Sequence, residues 1–206
     1  VRRLRLGVAG LGRAFMLLAP ALAHHPRVTL AACFDPRAEA RARFAQEVAG
    51  ARAHATFEAL CDDAGLDALY LATPHQFHAE HAIRAARAGK HVLVEKPMAV
   101  TLAEAAAMVA AAEAAGTVLM LGHSHGQDAP VRLARRLIAE GRAGVPRLIT
   151  ALTFTDFLWR PRRPEELDTA QGGGVVFSQA AHQLDIIRVL CGGRLRSIRA
   201  TTSRAR

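Results

Sequence analysis

From Leu4 to Leu121, short apolar runs alternate with longer stretches in which apolar residues recur every three or four positions. A short apolar run bounded by turn residues is the pattern of a strand buried on both faces. The three-to-four spacing is that of a helix with one face in a core. Residues 4–9, 28–34, 69–73, 91–94 and 118–121 are therefore expected strands, with a weaker one at 51–55. Residues 12–23, 36–48, 57–62, 76–88 and 102–115 are expected helices. Pro36 stands where a helix starts, and Gly89 and Gly116 stand just past helix ends, which suits the fixed φ of proline and the left-handed freedom of glycine. Strands and helices that alternate through short connections build right-handed parallel βαβ units. The expected fold of residues 1–122 is α/β, a doubly wound parallel sheet of the Rossmann kind.

The rhythm changes after Gly122. Residues 130–139 and 175–190 read as helices, 147–154 as a longer β-run, 159–171 as a polar loop rich in proline and arginine, and 195–202 as a final strand. Residues 123–206 are thus expected to form a second, α+β domain with an open sheet.

Composition narrows the function classes. No apolar run reaches the ~20 residues of a membrane-crossing helix. The first residues, VRRLRLGVAG, turn directly into a strand and a glycine turn, so no secretion signal is expected. The three cysteines, Cys33, Cys61 and Cys191, are widely spaced and odd in number, which suits reduced thiols in a cytoplasmic protein. The formal net charge is +9, but the arginines run the length of the chain without an aromatic-rich basic stripe, so nucleic acid is not an expected partner. His75, His78 and His81 recur every third residue and drift around a helix, so no metal site is expected of them. Neither a nucleophile elbow nor a phosphate-loop lysine pattern is present, which argues against acyl transfer and ATP hydrolysis.

Three stretches carry chemistry. In GVAGLGRAF, Gly10 and Gly12 lie between the first strand and the first helix. Gly10 permits a tight turn, and Gly12 lets the backbone approach a pyrophosphate seated on the helix N-terminus. Asp35 ends the second strand, where a carboxylate can accept the ribose hydroxyls of NAD, and the nearby Arg37 suits the 2′-phosphate of NADP. The expected cofactor is NAD or NADP, with Gly10, Gly12, Arg13, Ala14 and Asp35 as contacts. Phe15 occupies the third glycine position of the usual fingerprint, so the helix must seat differently there or use Ala14 instead.

In HVLVEKPMAV, Lys96 is one of only two lysines in a chain that otherwise uses arginine as its non-histidine cation; the other is Lys90. Lys96 sits at the carboxyl end of a parallel strand, where ligands of open α/β sheets bind. A lysine ammonium can give up its proton when buried and an arginine cannot, so a proton-handling task explains the choice. In GGGVVFSQAAHQLD, Ser178, His182 and Asp185 share one helix face, with His182 able to exchange a proton near neutral pH and Asp185 placed to steer it.

Together GVAGLGRAF, LATPHQFHAEHAIRAARAGKHVLVEKPMAVT and GGGVVFSQAAHQLD resemble, in order and spacing, the Gfo/Idh/MocA oxidoreductases. The resemblance implies that Lys96 lines the nicotinamide site, that Glu95 is the acid preceding it, that Thr73, Pro74 and His78 belong to the cofactor loop, and that His182 is the acid/base. Where the family often carries Asp four residues before that histidine, this chain has Ser178, which speaks against oxidation of inositol-like alcohols. The family's second domain continues through several more strands, so the domain is expected to be truncated here, with homo-oligomers expected of full-length relatives.

GLGRAFML and FLWRPRRPEELDTAQGGGVVFSQAAHQ look like the phthalate 4,5-dihydrodiol dehydrogenase branch of the family. This implies oxidation of a carboxylated cis-dihydrodiol, with Arg160, Arg162 and Arg163 as carboxylate partners and Ser178 and Asp185 beside the substrate. The alternatives are a non-catalytic NAD(P)-binding regulator and an inactive fragment of such an enzyme.

Overall fold

The structure is a computed structural model, and it describes residues 2–154, 159, 161–192 and 195–201. The chain divides into two compact units, one of Val1–Gly122 with Pro161–Ser178, the other of His123–Arg160 with Gln179–Arg206. Residues 161–178, assigned to the second domain from sequence, are thus grouped with the first unit.

The first unit is built on six parallel strands: β1 (Leu4–Ala9), β2 (Val28–Phe34), β3 (Arg52–His54), β4 (Ala68–Leu71), β5 (His91–Val94) and β6 (Leu119–Leu121). They lie in the order β3-β2-β1-β4-β5-β6. Each pair is parallel, with Ala9 opposite Phe34 and Leu71, and Leu71 opposite Val94. The order reverses between β1 and β4, the switch point at which doubly wound sheets take their ligands. Side chains of β4 alternate between the two faces. Leu69 and Leu71 join one core cluster with Phe57, Leu60, Ala82, Ala85 and Met108, while Tyr70 joins the other with Phe15, Phe44 and Leu30.

Helices α1 (Arg13–Ala23) and α2 (Ala38–Glu47) cover the second cluster, and α3 (Phe57–Asp62), α4 (His78–Arg87) and α5 (Leu102–Ala115) cover the first. The helix starts differ in a telling way. Thr56 caps α3 by accepting from Ala59 N–H, and Thr101 and Glu104 form a reciprocal capping box on α5, a device that contributes about 1 kcal/mol. The first turn of α1 has no side-chain cap.

The two lysines have similar settings. Lys90 is buried and donates to the carbonyls of Asp63 (2.8 Å) and Leu66 (3.1 Å). Lys96 donates to the carbonyl of Ser178 at 2.8 Å. Four of the arginines instead pair with carboxylates, Arg5 with Asp67, Arg37 with Asp35, Arg52 with Asp63 and Arg84 with Asp62, although Arg3 and Arg41 also donate to main-chain carbonyls. A compact ammonium suits main-chain oxygens approached from below, and a planar fork suits a carboxylate.

Pro161–Ser178 adds a one-turn helix, α7 (Pro164–Leu167), inside what the sequence suggested was loop, then a 3₁₀ turn (Thr169–Gln171). Gly172 follows with φ +77°, and a Cβ there would meet His75 and Val100 at 3.3 Å.

In the second unit, α6 (Ala129–Ala139) packs with α8 (Ala181–Cys191) and with the 3₁₀ turn His125–Gln127. The expected helix at 175–190 begins as a π-turn, Val176–Ala180, and becomes α-helical only from Ala181. The β-runs expected at 147–154 and 195–202 are not strands among the described residues, and Leu148, Leu152 and Phe154 are 87%, 75% and 91% exposed. Alternation decides which side chains share a face. A strand also requires a neighbour for its N–H and C=O groups, and neither run pairs with a neighbouring strand among the described residues.

Candidate active site

Beyond their carboxyl ends the central strands stay bonded to one another. Gly10 N–H donates to Phe34 O, Ala72 N–H to Ala9 O, Glu95 N–H to Leu71 O and Gly122 N–H to Val94 O, all at 2.8–2.9 Å. This rim fixes Gly10, Asp35, Ala72–Thr73 and Glu95–Lys96 against each other before any ligand arrives.

At one end, Gly10 holds φ +91°, and a Cβ there would meet Ala72 O at 2.5 Å and Thr73 N at 2.9 Å. Only glycine meets both requirements. A Cβ on Gly12 would meet nothing within 4 Å, so the space above the turn is open. That opening lies beside the uncapped first turn of α1, whose free N–H groups are the kind of donors an anion takes up. Arg13 is exposed and Ala14 half-buried on that first turn. Phe15 turns inward, 5% exposed, with its ring 5.7 Å from that of Phe44. The helix therefore seats on an aromatic pair rather than on a third glycine.

Asp35 is buried, and its carboxylate accepts from Leu11 N–H (2.9 Å), Arg37 N–H (3.0 Å) and the Arg37 guanidinium (2.9 and 3.1 Å). Burial works against the charge, but these donors, the Arg37 side chain foremost, hold the carboxyl below its ordinary range. It is an ionised carboxylate whose outer side is closed by an arginine with a 56% exposed side chain. Ribose hydroxyls fit this acceptor once Arg37 turns outward, so the residues present fit a dinucleotide.

At the other end, Tyr70, fully buried in β4, donates to Glu95 Oε1 at 2.7 Å, and Lys96 N–H donates to Glu95 Oε2 at 3.2 Å. The Lys96–Pro97 peptide is cis. Burial lowers the Lys96 pKa, Glu95 opposes that, and the charge of Arg162 adds to it. Arg162 has a side chain only 10% exposed, while Arg163 is 64% exposed and lies near Glu166. Arg160 lies outside the described residues. The Ser178 hydroxyl bonds to Gly174 O, one turn back, while its carbonyl receives Lys96.

The three histidines of 75–81 diverge. His75 Nδ1 meets Gly172 O at 3.0 Å, His81 Nδ1 meets Thr73 Oγ1 at 3.1 Å, and His78 contacts two backbone carbonyls. Pro74 leads into the 3₁₀ turn His75–Phe77 that precedes α4, so the expected helix at 76–88 starts as a tighter coil. Among the described residues, no group of three or more His, Cys, Asp or Glu could hold a metal ion. No helix among them is long and apolar enough to cross a membrane.

In the second unit, His182 is 9% exposed and its ring lies 4.2 Å from that of His125 and 6.4 Å from that of His123. Asp185, expected to steer His182, accepts from Arg188 at 3.0 Å, and a Cβ on Gly126 would meet its carboxylate. Tyr70 and the His75–Gly172 contact were not foreseen from the sequence. A lone tyrosine within ALYL was the available sign of the first; a pairing 97 residues apart left none.

Residues 4–123 match the oxidoreductase family GFO/IDH/MocA with its NAD-binding Rossmann fold, and residues 131–206 match the GFO/IDH/MocA C-terminal domain. The chain is 50% identical over 192 residues to 1-carboxy-3-chloro-3,4-dihydroxycyclohexa-1,5-diene dehydrogenase of Comamonas testosteroni, covering 93% of this chain and 48% of that protein. An oxidoreductase domain protein from Kribbella flavida superposes with a TM-score of 0.84 at 31% identity, covering 93% of this chain and 53% of that one. The WlbA dehydrogenase from Bordetella pertussis, in complex with NADH and UDP-GlcNAcA, superposes with a TM-score of 0.75 at 28% identity, covering 92% and 55%. The chain spans about half the length of the curated relatives it matches. Glycine turn, buried acid and Glu-Lys-Pro loop on one parallel sheet agree with both matches: the chain belongs to the GFO/IDH/MocA oxidoreductase family.

Proposed function

We propose that this chain serves an NAD(P)-dependent dehydrogenase that oxidises a carboxylated cis-dihydrodiol to a catechol. The observation that carries the reading is Lys96, a half-buried ammonium at the carboxyl end of β5 whose pKa is lowered by burial and which feels the Arg162 charge. Two cations near one another favour an anionic substrate, and a carboxylate on the ring supplies that charge. The dehydrogenase of Comamonas testosteroni, named for a carboxylated dihydroxycyclohexadiene, supports the same class.

When bound, the nicotinamide accepts the carbinol hydride. Gly10, Gly12 and the first turn of α1 hold the pyrophosphate, and Asp35 holds the adenine-side ribose, with Arg37 keeping NADP within range. The lowered pKa of Lys96 lets its ammonium shed a proton, and the neutral amine so formed takes the proton of the substrate hydroxyl; His182 is the alternative base. The ketone so formed tautomerises to the aromatic diol, which makes the oxidation favourable. Arg162 holds the substrate carboxylate, and Arg160 and Arg163 supplement it. Ser178 contributes its carbonyl, which keeps the Lys96 ammonium directed until substrate replaces it, and Asp185 supports the helix that carries His182.

The test is turnover of a carboxylated cis-dihydrodiol by the purified chain with NAD⁺ and with NADP⁺, read as nicotinamide reduction and catechol release. Oxidation of sugars or polyols alone would refute the substrate class. Cofactor binding without any turnover would favour a regulator, a reading to which the absence of an acid at Ser178 lends some weight.

A further inference from the structure

His78 opens α4 with no exposed surface. Its Nδ1 lies 2.8 Å from the carbonyl of Pro97, and its Nε2 lies 2.9 Å from the carbonyl of Thr73. Neither carbonyl is an arbitrary piece of main chain. Pro97 follows Lys96 directly. The backbone N of Thr73 is one of the atoms that a Cβ on Gly10 would strike, so Thr73 forms the wall of the glycine turn. One imidazole therefore bridges the lysine loop and the dinucleotide turn, from behind both.

A core position this enclosed is ordinarily filled by an apolar side chain, and placing an imidazole there is costly unless its nitrogens are bonded. The partners it has chosen are the two loops whose separation sets how far the Lys96 ammonium stands from a cofactor on the turn. Burial favours the neutral ring, as does the neighbouring His75, while the two carbonyls and Glu95 favour the cation. A neutral ring carries one N–H and donates to one of the two carbonyls while its other nitrogen only packs against the second; the cation donates to both.

We propose that His78 is a positioning residue, a buried clamp whose ring is wedged between the Pro97 and Thr73 carbonyls, bonded to one of them when neutral and to both when protonated, and so fixes Lys96 relative to the glycine turn. The proposal rests on the dehydrogenase reading above, in which Lys96 handles the proton.

Asn and Gln separate the two halves of the clamp. The amide nitrogen of Asn takes the place of Nδ1 and that of Gln the place of Nε2. His78→Asn keeps the Pro97 contact and gives up Thr73; His78→Gln does the reverse. The structure predicts that His78→Asn raises the cofactor Kd about fivefold with the smaller effect on kcat, and that His78→Gln lowers kcat about fivefold with the smaller effect on Kd. Equal losses of both parameters in the two variants would reduce His78 to an ordinary core residue.

A second readout needs no activity. The chain has two lysines, so [15N]lysine labelling gives two backbone amide signals, Lys90 and Lys96. His78→Gln must shift Lys96 well beyond the shift in His78→Asn, with Lys90 unmoved in both. A Lys96 signal that stays in place in His78→Gln overturns the clamp, whether or not the chain turns over substrate. If the wild-type chain is inactive but the signals separate as stated, the clamp stands and the dehydrogenase reading fails. Should either variant fail to fold, the wild-type ring decides: a His78 ring N–H in slow exchange with water supports the bridge, and one in fast exchange removes it.

Discussion

The two ends of the crevice in the first unit are built by different means. The glycine-turn end is held by backbone: a positive φ at Gly10, an open space at Gly12 and main-chain donors around Asp35. The lysine end is held by side chains that come from far along the chain: Tyr70 onto Glu95, His78 onto Pro97, and Lys96 onto Ser178, 25, 19 and 82 residues apart. A backbone cradle tolerates wide changes in the surrounding side chains but almost none at its glycines. A side-chain site loses function one group at a time.

The largest effect should come from the lysine end. Lys96→Ala is expected to lower kcat by about 10²–10⁴-fold, the usual range for removing a group that handles a proton in the transition state. The Kd for NADH should stay within about threefold, because lost turnover without lost binding is the mark of a group used after binding. A stopped-flow rate within tenfold of wild type would take Lys96 out of the mechanism, and an equal collapse of NADH binding would dissolve the distinction between the two ends.

The glycine-turn end should break in two separable ways. Gly10→Ala must place a methyl group 2.5 Å from a backbone oxygen at a φ that L-residues avoid. A loss of about 2–3 kcal/mol in unfolding free energy is expected, together with loss of cofactor binding. Gly12 has φ −83°, ψ −164° and open space above it, so alanine fits the fold. Its melt should be unchanged within about 0.5 kcal/mol, while cofactor affinity falls about tenfold because the methyl group occupies the cradle. Equal destabilisation by both would show that the open space over Gly12 is not there in solution.

The same contrast explains what could be read in advance. The sheet, its alternating helices and the glycine turn were legible because strand periodicity and glycine placement are local signals. Asp35 followed from its position at a strand end. Lys96 stood out because the chain writes its other non-histidine cations, Lys90 excepted, as arginine. Tyr70, His75 and the double role of His78 were not legible, since nothing local specifies which carbonyl a buried polar atom will meet. Asp185 was placed beside His182 by helical spacing, while its ion pair with Arg188, three residues on, was not read from the sequence. The run at 147–154 carried the right alternation, but alternation reports only a preference for two faces, and pairing depends on what lies beside it.

The smallest expected effect concerns pH, and it separates two groups of the first unit by window, both losing stability as pH falls. At the glycine-turn end, Asp35 is held below its ordinary pKa by its donors, so its contribution is complete above the usual carboxylate range and fades only as pH falls through its own lower value. His81, whose Nδ1 meets Thr73 Oγ1, is packed between Phe57 and Phe77, its ring 3.9 Å from the first and 5.7 Å from the second. Burial, with a smaller push from His78 and against the pull of Glu58, takes its pKa from 6.5 down to about 4. The folded protein therefore keeps this ring neutral while the unfolded chain takes up a proton. Stability present above pH 6.5 is lost as pH falls toward about 4, with no further loss below that. His75 and His78, also lowered by burial, act in the same direction. After allowance for the part of His81 that water reaches, its share of the loss between neutral pH and about pH 5 is on the order of 1 kcal/mol. His81→Phe keeps the aromatic stack and removes the titration. Urea unfolding followed across this range should show a wild-type stability that declines with acid and a His81→Phe stability that declines by about 1 kcal/mol less. Parallel pH curves for the two proteins would mean that the ring is as free to take a proton in the folded state as in the unfolded one.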